Sequence, residues 1–436
     1  MTENKSVLCR FYDLEEEMKE YFLECLKHDD LTIYSALVDG TESVDMVCTF
    51  CCLDGFLSSI VGGKNIYVPK PPTDVIGIET ILSDKDSLWC TAYGIYANTL
   101  IKIDKKTMDI EMLMMPYDSI KKDRLFCKIL KINDCVYLIP ENSDFIAIYN
   151  VDEEKWTKID ITEEGVDGWY YSDAIEVSGF VYLMPNKAKK IIKINCNNFD
   201  VEFFQLNSFD CFSFLEVFDR RYEFCGGGAL ANIRSYIYIY SRLYNCFLKY
   251  DTENNTLDVI RKLDKENFSY ACVFYNDCFW MFTMSGHNRI IKYDIKNDEL
   301  IYFDNLPSMA YNRAPFHKGT SIDEKIIFVP GLAENVIEID TISHEVHILG
   351  NFNIETYDGS KECWIYSDVD SDDSFVYLFE THLKEFVRYD VKNNKSEKIE
   401  IHLTKKAWYR GEAKKIQQMV LDKIESPKMD ALVYEE

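Results

Sequence analysis

The sequence predicts an all-β fold, a seven-bladed β-propeller of four-stranded blades with short helical extensions at its N- and C-terminal ends. Two observations support this class. One short motif recurs seven times at a mean spacing of about 48 residues, which matches the period of a four-stranded propeller blade. Residues 80–401 contain no amphipathic segment of roughly 10 to 15 residues that could form the crossover helix of a parallel sheet.

Each copy of the motif consists of a strand, a polar turn and a second strand. In the stretch IIKYDIKND, Ile291 and Tyr293 alternate with polar residues, as in a strand with one buried face. The strand ends at Asp294, where the turn begins. Asp and Asn suit this position because their short side chains hydrogen-bond to nearby backbone. The seven equivalent anchor residues are Asp104, Asn150, Asn195, Asp251, Asp294, Asp340 and Asp390. Six residues after the anchor stands an apolar residue, except in the last copy, where it is Ser396.

Two further strands precede the anchor strand in each copy. The nearer segment is short and rich in Val, Ile, Tyr and Phe, as in CVYLIP, FVYLMP and FVYLFE. Before it come runs such as LFCKILKIND and SDAIEVSG, which end in turn residues. A four-stranded twisted sheet cannot cover both of its faces alone, whereas a ring of such sheets packs each face on a neighbour. We therefore place the propeller at residues 71–403.

The repeats resemble those of the kelch family of propellers. That family's repeat has a hydrophobic strand, a Tyr-Asp pair, a short polar turn and a Trp. Residues 149–157, which include Trp156, are the most similar copy, and Tyr-Asp pairs occur at residues 250–251, 293–294 and 389–390. The Gly-Gly doublet of the family is missing from the expected place in every copy. The resemblance covers residues 80–401 and implies a divergent kelch-like propeller.

Two segments lie outside the predicted ring: an N-terminal helical and strand extension at residues 1–70, and a C-terminal helix and tail at residues 404–436. Residues 13–28 and 411–427 carry apolar residues at helical spacing, while residues 65–69 (NIYVP) are expected to form an extra strand that caps the ring or helps to close it. Residues 13–30 are acidic and residues 404–428 are basic. Two interpretations stay open: the helices pack on the rim of the propeller, or they mediate partner contacts and oligomerisation.

Composition restricts the class of partner. The formal net charge of −26 repels phosphate backbones and anionic membrane surfaces, so we expect no nucleic-acid partner and no membrane association, and the charge favours a basic protein or peptide. The 15 cysteines are scattered among apolar strands, which is typical of free buried thiols. The N-terminus lacks the pattern of a secretory signal. These features predict a reducing, cytoplasmic location.

No motif identifies a catalytic or metal site. The CTFCC stretch (residues 48–52) lacks a second ligand pair for zinc, and the SHEVH stretch (residues 343–347) lies on a predicted turn and outer strand rather than a helix. The DVDSDD stretch (residues 368–373) lacks the Gly and Glu of a calcium loop, so we expect a solvated turn there. Glycines 226–228 lack the Lys and Ser or Thr of a phosphate-binding loop. We therefore expect no metal and no cofactor.

The predicted binding surface lies where the copies differ. WYYSD (residues 169–173) and WIYSD (residues 364–368) both begin an innermost strand, which opens onto the mouth of the central channel. Aromatic and Arg residues dominate binding hot spots. The candidate binding residues are Trp169, Tyr171, Asp173, Arg242, His287, Arg289, Arg313, His317, Trp364, Tyr366 and Asp368.

Two functional hypotheses follow from this surface. The first is a non-enzymatic scaffold or adaptor that presents a rigid face to another protein or peptide. The alternative is an enzyme or a small-molecule binder, for a peptide or a sugar, that uses the channel mouth. A flat aromatic mouth favours the first, and a deep pocket with clustered carboxylates or His favours the second.

Overall fold

The structure is a computed structural model and describes residues 76–93, 97–117, 124–161, 168–213, 215, 217, 224–225, 230–283, 288–308, 315–349, 365–381 and 384–399. The described residues form seven four-stranded antiparallel sheets, and the strands of each sheet are consecutive in the chain. The predicted seven-bladed propeller of four-stranded blades is confirmed. IIKYDIKND forms the third strand and exit turn of blade 5, as the repeat predicts.

The first four blades contain strands β1 to β16. Blade 1 consists of β1 (Ile78–Ser83), β2 (Ser87–Ala92), β3 (Thr99–Asp104) and β4 (Ile110–Met114). Blade 2 consists of β5 (Phe126–Ile132), β6 (Cys135–Pro140), β7 (Phe145–Asn150) and β8 (Lys155–Asp160). Blade 3 consists of β9 (Tyr171–Val177), β10 (Phe180–Pro185), β11 (Lys190–Asn195) and β12 (Val201–Gln205). Blade 4 consists of β13 (Leu230–Ile233), β14 (Tyr236–Ser241), β15 (Cys246–Asp251) and β16 (Thr256–Lys262).

The last three blades contain strands β17 to β28. Blade 5 consists of β17 (Ser269–Tyr275), β18 (Cys278–Thr283), β19 (Ile290–Asp294) and β20 (Glu299–Phe303). Blade 6 consists of β21 (Phe316–Ile322), β22 (Lys325–Pro330), β23 (Ile337–Asp340) and β24 (Val346–Ile348). Blade 7 consists of β25 (Tyr366–Ser371), β26 (Phe375–Glu380), β27 (Glu385–Asp390) and β28 (Lys395–Ile399). Short 3-10 turns occupy Leu206–Ser208, Asp210–Ser213 and Lys265–Asn267.

The seven anchor residues turn the chain as the sequence predicts. Every anchor side chain accepts hydrogen bonds from backbone N–H groups two or three residues ahead. In blade 5 the Asp294 carboxylate accepts one from Asn297 at 3.0 Å. The Tyr293 ring before it is buried between blades and stacks on Phe247 of blade 4 at 4.3 Å between ring centres. In blade 5 the Tyr-Asp pair thus combines a turn, made by the Asp, with a contact between neighbouring sheets, made by the Tyr.

Side chains, rather than a shared strand, join blade 7 to blade 1 among the described residues. On β25, the Asp368 carboxylate accepts a hydrogen bond from the backbone N–H of Ile81 at 2.9 Å. Two residues further along, Asp370 accepts one from the N–H of Ser83 at 2.6 Å. Because β1 is an edge strand, its outward N–H groups need acceptors from outside their own sheet. The carboxylates of β25 supply them.

The expected solvated turn at DVDSDD is therefore wrong for its first half. Asp368 is buried and Asp370 is half-buried, and both belong to strand β25. Asp372 and Asp373 lie in the following turn, where Asp372 pairs with Lys105 of blade 1 at 2.6 Å. The alternating spacing of these three acids is a strand period of two that turns them towards blade 1.

Several predicted segments lie outside the described residues. These are the two predicted terminal helices at residues 13–28 and 411–427, the NIYVP strand, the CTFCC stretch and glycines 226–228. Within the described ranges, no helix has the length and apolar character needed to span a membrane.

Candidate binding site at the channel mouth

A cavity of about 120 Å³ lies at one mouth of the central channel. All seven blades contribute to its wall, so it lies at the centre of the ring. Its lining residues come from the starts of the innermost strands and from the loops after the second strands. They are Glu79, Arg124, Cys127, Glu141, Trp169, Tyr171, Ser172, Asn186, Arg242, Tyr270, His317, Lys318 and Ser367.

A repeated β-bulge directs side chains into this cavity. In blade 6, Phe316 pairs with Pro330 and Lys318 with Val329, so His317 between them has no partner residue across the sheet. A bulge of this kind changes the direction of the extra side chain. Blades 1, 2, 3, 5, 6 and 7 all have an irregularity at the second residue of the innermost strand. The six residues at this position all line the cavity: Glu79, Cys127, Ser172, Tyr270, His317 and Ser367.

The loop after the second strand supplies the other part of the wall. In blades 2, 3 and 4 the residue directly following that strand lines the cavity, and these residues are Glu141, Asn186 and Arg242. The guanidinium of Arg242 lies 4.2 Å from the ring centre of Tyr270. This contact joins the loop of blade 4 to the bulge of blade 5.

Four of the predicted binding residues line the cavity: Trp169, Tyr171, Arg242 and His317. Trp169 stands at the rim and is 38% exposed, with a left-handed φ of 55°. Its backbone N–H donates to Asn142 Oδ1 at 3.2 Å, and the ammonium of Lys187 lies 5.5 Å from its ring centre. The rim therefore presents an aromatic surface held by backbone contacts.

The remaining predicted residues have other positions. Asp173 and Asp368 lie in the innermost strands, where they pair with lysines. Tyr366 is buried in the packing around blade 7. The guanidinium of Arg289 pairs with Asp304 at 3.3 Å and does not line the cavity. His287, Arg313 and Trp364 lie outside the described residues.

Three ion pairs connect neighbouring blades around the channel. Arg124 binds Glu79 at 2.8 Å, Lys128 binds Asp173, and Lys318 binds Asp368 at 3.2 Å. Burial raises the pKa of the Glu79 carboxyl, and the guanidinium of Arg124 opposes that increase. Burial alone would lower the pKa of Lys318, but the Asp368 carboxylate outweighs it and holds the pKa above its usual value.

The imidazole of His317 is neutral at physiological pH. Burial, reinforced by the positive charge of Lys318, lowers its pKa to about 3, although its Nε2 lies 3.4 Å from the carbonyl oxygen of Ser367. Burial also raises the pKa of the Cys127 thiol well above its usual value. The cavity thus contains a neutral imidazole and a protonated thiol.

Two buried oxygens beside the cavity have no hydrogen-bond partner in the described part of the chain. They are Asn186 Oδ1 and Ser367 Oγ, on residues that are 8% and 7% exposed. Both residues line the cavity. A buried polar atom without a partner costs free energy, so these oxygens mark positions where a bound group gains hydrogen bonds.

Sequence reasoning missed Glu79, Arg124, Glu141, Asn186, Tyr270 and Lys318. A positional signal was present for two of them. Glu141 and Asn186 directly follow the second-strand prolines Pro140 and Pro185, at the place that Arg242 occupies in blade 4. Aligning that position would have found them. No group of three potential metal ligands comes together within the described ranges.

No family model matches the sequence and no curated protein matches it, so the kelch resemblance stays a prediction. The chain is similar to the computationally designed protein Ika8, at 9% identity and a TM-score of 0.47, over 76% of this chain and 88% of that one. It is also similar to Kluyveromyces lactis Hsv2, at 10% identity and a TM-score of 0.47, over 75% of this chain and 100% of Hsv2. PorZ of Porphyromonas gingivalis is similar at 6% identity and a TM-score of 0.49, over 76% of this chain and 39% of PorZ. The propeller assignment itself rests on the strand order of this chain.

Proposed function

We propose that this chain is a non-enzymatic, cytoplasmic scaffold that binds a segment of a partner polypeptide at the channel mouth. One observation carries this proposal: six equivalent bulges direct six side chains, which belong to five residue types, into one cavity. Repetition of the strands supplies a rigid ring, and variation at the bulges supplies an asymmetric recognition surface.

The size of the cavity supports a polypeptide partner. Its volume of about 120 Å³ is below the roughly 300 to 1,000 Å³ of pockets that enclose drug-sized ligands. It has room for one side chain of a larger partner, while the exposed ring of Trp169 at the rim provides an aromatic contact.

The protonation states of the cavity support binding rather than catalysis. A general base works best when its pKa lies near the operating pH, and the pKa of His317 is about 3. A nucleophilic cysteine needs a lowered pKa, whereas burial raises the pKa of Cys127.

The overall charge supports a basic partner. A net charge of −26 produces a long-range attraction for cationic proteins. Short-range recognition then takes place at the mouth, where Arg124, Arg242 and Lys318 stand beside Glu79 and Glu141. We assign additional partner or oligomer contacts to the terminal segments at residues 1–70 and 404–436.

The test uses the full chain as bait for proteins of its native host. Trp169→Ala removes the exposed rim ring, and Phe203→Ala is the matched control because Phe203 is 50% exposed on the outer strand of blade 3. We expect Trp169→Ala to reduce recovery of specific partners at least tenfold and Phe203→Ala to leave it unchanged, with equal thermal unfolding of both. Full recovery of every partner by Trp169→Ala would contradict the proposal.

A second candidate function is the binding of a small polar molecule. The buried oxygens of Asn186 and Ser367 favour it, because they offer hydrogen-bonding sites inside an enclosed wall. Native mass spectrometry of the purified chain distinguishes the two. A bound small molecule that disappears on denaturation favours this candidate, and a mass equal to that of the chain alone favours the scaffold.

A further inference from the structure

Four blades share a pattern of charges on their outer three strands. A basic residue on the third strand pairs in register with an aromatic residue on the second strand and with an acid on the fourth. The basic residues and their acids are Lys102 with Glu111, Lys193 with Glu202, Lys249 with Asp258 and Arg388 with Glu397. Two of these form ion pairs, at 2.9 Å for Lys193 and Glu202 and at short range for Arg388 and Glu397. In these two blades the acid neutralises the base, and in blades 1 and 4 an acid stands opposite the base in register.

Blade 5 keeps the base and lacks the acid. Its basic residue is Lys292, its aromatic residue is Trp280, and the residue opposite Lys292 on β20 is Ile301. The ammonium of Lys292 lies 5.1 Å from the ring centre of Trp280. It makes no ion pair with any other described residue. Its acidic neighbour along the same strand is Asp294, whose carboxylate bonds to Asn297.

A cavity of about 110 Å³ lies directly beside Lys292 and Trp280, between blades 5 and 6. The wall from blade 5 also includes Tyr275, Asn276 and Cys278, and the wall from blade 6 is built from Glu324, Thr341 and Ile342. Asn276 and Glu324 belong to the turns between strands 1 and 2, with Tyr275 and Cys278 at the adjoining strand ends, and Thr341 and Ile342 belong to the turn between strands 3 and 4. In an antiparallel blade those turns lie at the end opposite to the loops of the channel mouth, so this cavity is separate from the one described above.

Two donors of this cavity have no acceptor within the described part of the chain. Trp280 is 1% exposed, and its Nε1–H, which can only donate, has no hydrogen-bond partner among the described residues. The ammonium of Lys292 lacks the acid that its equivalents have. Glu324 on the opposite wall is exposed, so solvent and salt screen its charge more than that of the half-buried Lys292. Together the two donors match a negatively charged acceptor.

We propose that this cavity binds an acidic side chain of a partner polypeptide, whose carboxylate accepts from Lys292 Nζ and Trp280 Nε1. The cavity is too small for more than one such group, and Ile342 beside it is 67% exposed, which offers an apolar contact for a neighbouring residue of the same partner. The site therefore recognises a carboxylate next to an apolar side chain. It is independent of the function proposed for the channel mouth.

The test follows the indole N–H signals of the six tryptophans in the full chain labelled with [15N]tryptophan. The ligand is N-acetylglutamic acid α-amide, whose only carboxylate is on its side chain. We expect a saturable shift of the Trp280 signal, assigned by Trp280→Phe. N-acetylglutamine amide, which is uncharged, should bind at least fivefold more weakly, and so should N-acetylalanine, which carries only a main-chain carboxylate. The Trp89 signal is an internal control, because Lys102 beside it faces Glu111.

Matched variants complete the test. Lys292→Gln should raise the dissociation constant at least fivefold, and Lys193→Gln, which alters an acid-paired lysine of blade 3, should leave it unchanged. The proposal is overturned if the Trp280 signal does not saturate, if Lys292→Gln binds like the wild type, or if the uncharged amide binds equally well. Tighter binding of N-acetylalanine than of the glutamate amide would also overturn the assignment to a side chain.

Discussion

The guanidinium of Arg242 stacks at 4.2 Å on the ring of Tyr270, so a loop of blade 4 rests on the bulge residue of blade 5 across the wall of the mouth cavity. Such a contact contributes about 0.5 to 1 kcal/mol at an exposed site and about 2 kcal/mol when it is shielded from water. We expect a coupling free energy of about 1 kcal/mol between Arg242→Gln and Tyr270→Leu in a double-mutant cycle of urea unfolding. A coupling of zero would show that the two side chains contribute independently.

The carboxyl group of Asp370 makes the seam between blades 7 and 1 sensitive to pH. Burial raises its pKa to about 6, the carboxylate of Asp368 adds to the increase, and the hydrogen bond from Ser83 opposes it. Because this pKa lies above the unfolded value of about 3.9, the folded protein holds the proton more tightly. The contribution of Asp370 to the free energy of unfolding is therefore fully present below about pH 4 and is lost as the pH rises through about 6.

We therefore expect Asp370→Asn to raise the free energy of unfolding at about pH 7.5 by about 1 to 2 kcal/mol, since the group is half-buried rather than fully enclosed. The gain should disappear near pH 4. Asp372→Asn is the control, and it should lower the free energy of unfolding at about pH 7.5. The bond from Lys105 outweighs the effect of burial and lowers the pKa of Asp372. Chemical unfolding at both pH values measures the two variants, and a gain for Asp372→Asn at pH 7.5 would contradict this account.

We expect the anchor of blade 5 to tolerate Asn but not Ala. Asp294 accepts the backbone N–H of Asn297 through a side-chain oxygen, and Asn150 and Asn195 make the equivalent bonds in blades 2 and 3. We expect Asp294→Asn to change the free energy of unfolding by less than about 0.5 kcal/mol and Asp294→Ala to lower it by about 1 kcal/mol. Urea unfolding of the two variants provides the comparison, and equal losses would mean that the bonding oxygen is not what stabilises the turn.

The thiols of the propeller core should resist alkylation in the folded protein. Burial raises the pKa of Cys90, Cys127, Cys225 and Cys272 above the usual value for cysteine, and the thiolate is the reactive form. Iodoacetamide at pH 8 should label these four at least a hundredfold more slowly in the native chain than in urea. Peptide mapping by mass spectrometry reads each site separately, and rapid native labelling of Cys272 would contradict the packing of blade 5.

The sequence predicted the parts of the fold that depend on local chemistry. The anchors were visible because the turn needs a short side-chain acceptor, which only a few residue types provide. Of the six bulge residues only His317 was among the predicted binding residues, since a bulge constrains the backbone and leaves the side chain free to vary, from Ser172 to Tyr270. Arg289 shows the opposite limit: the sequence predicted that it lines the mouth, but its guanidinium pairs with Asp304 on its own blade.

The contiguous blades and the aspartate contacts of β25 have a further consequence for the architecture. Within the described chain, the boundary between blades 7 and 1 breaks no ladder of backbone hydrogen bonds, and the same holds at every other boundary. With respect to these ladders, any of the seven blade boundaries is therefore an equivalent place to cut and rejoin the polypeptide. A circular permutant that begins at blade 4 should assemble the same ring. Side-chain contacts distinguish the individual seams: Asp368, Asp370 and Asp372 join blade 7 to blade 1, whereas Arg124 and Lys128 of blade 2 pair with acids of the two neighbouring blades.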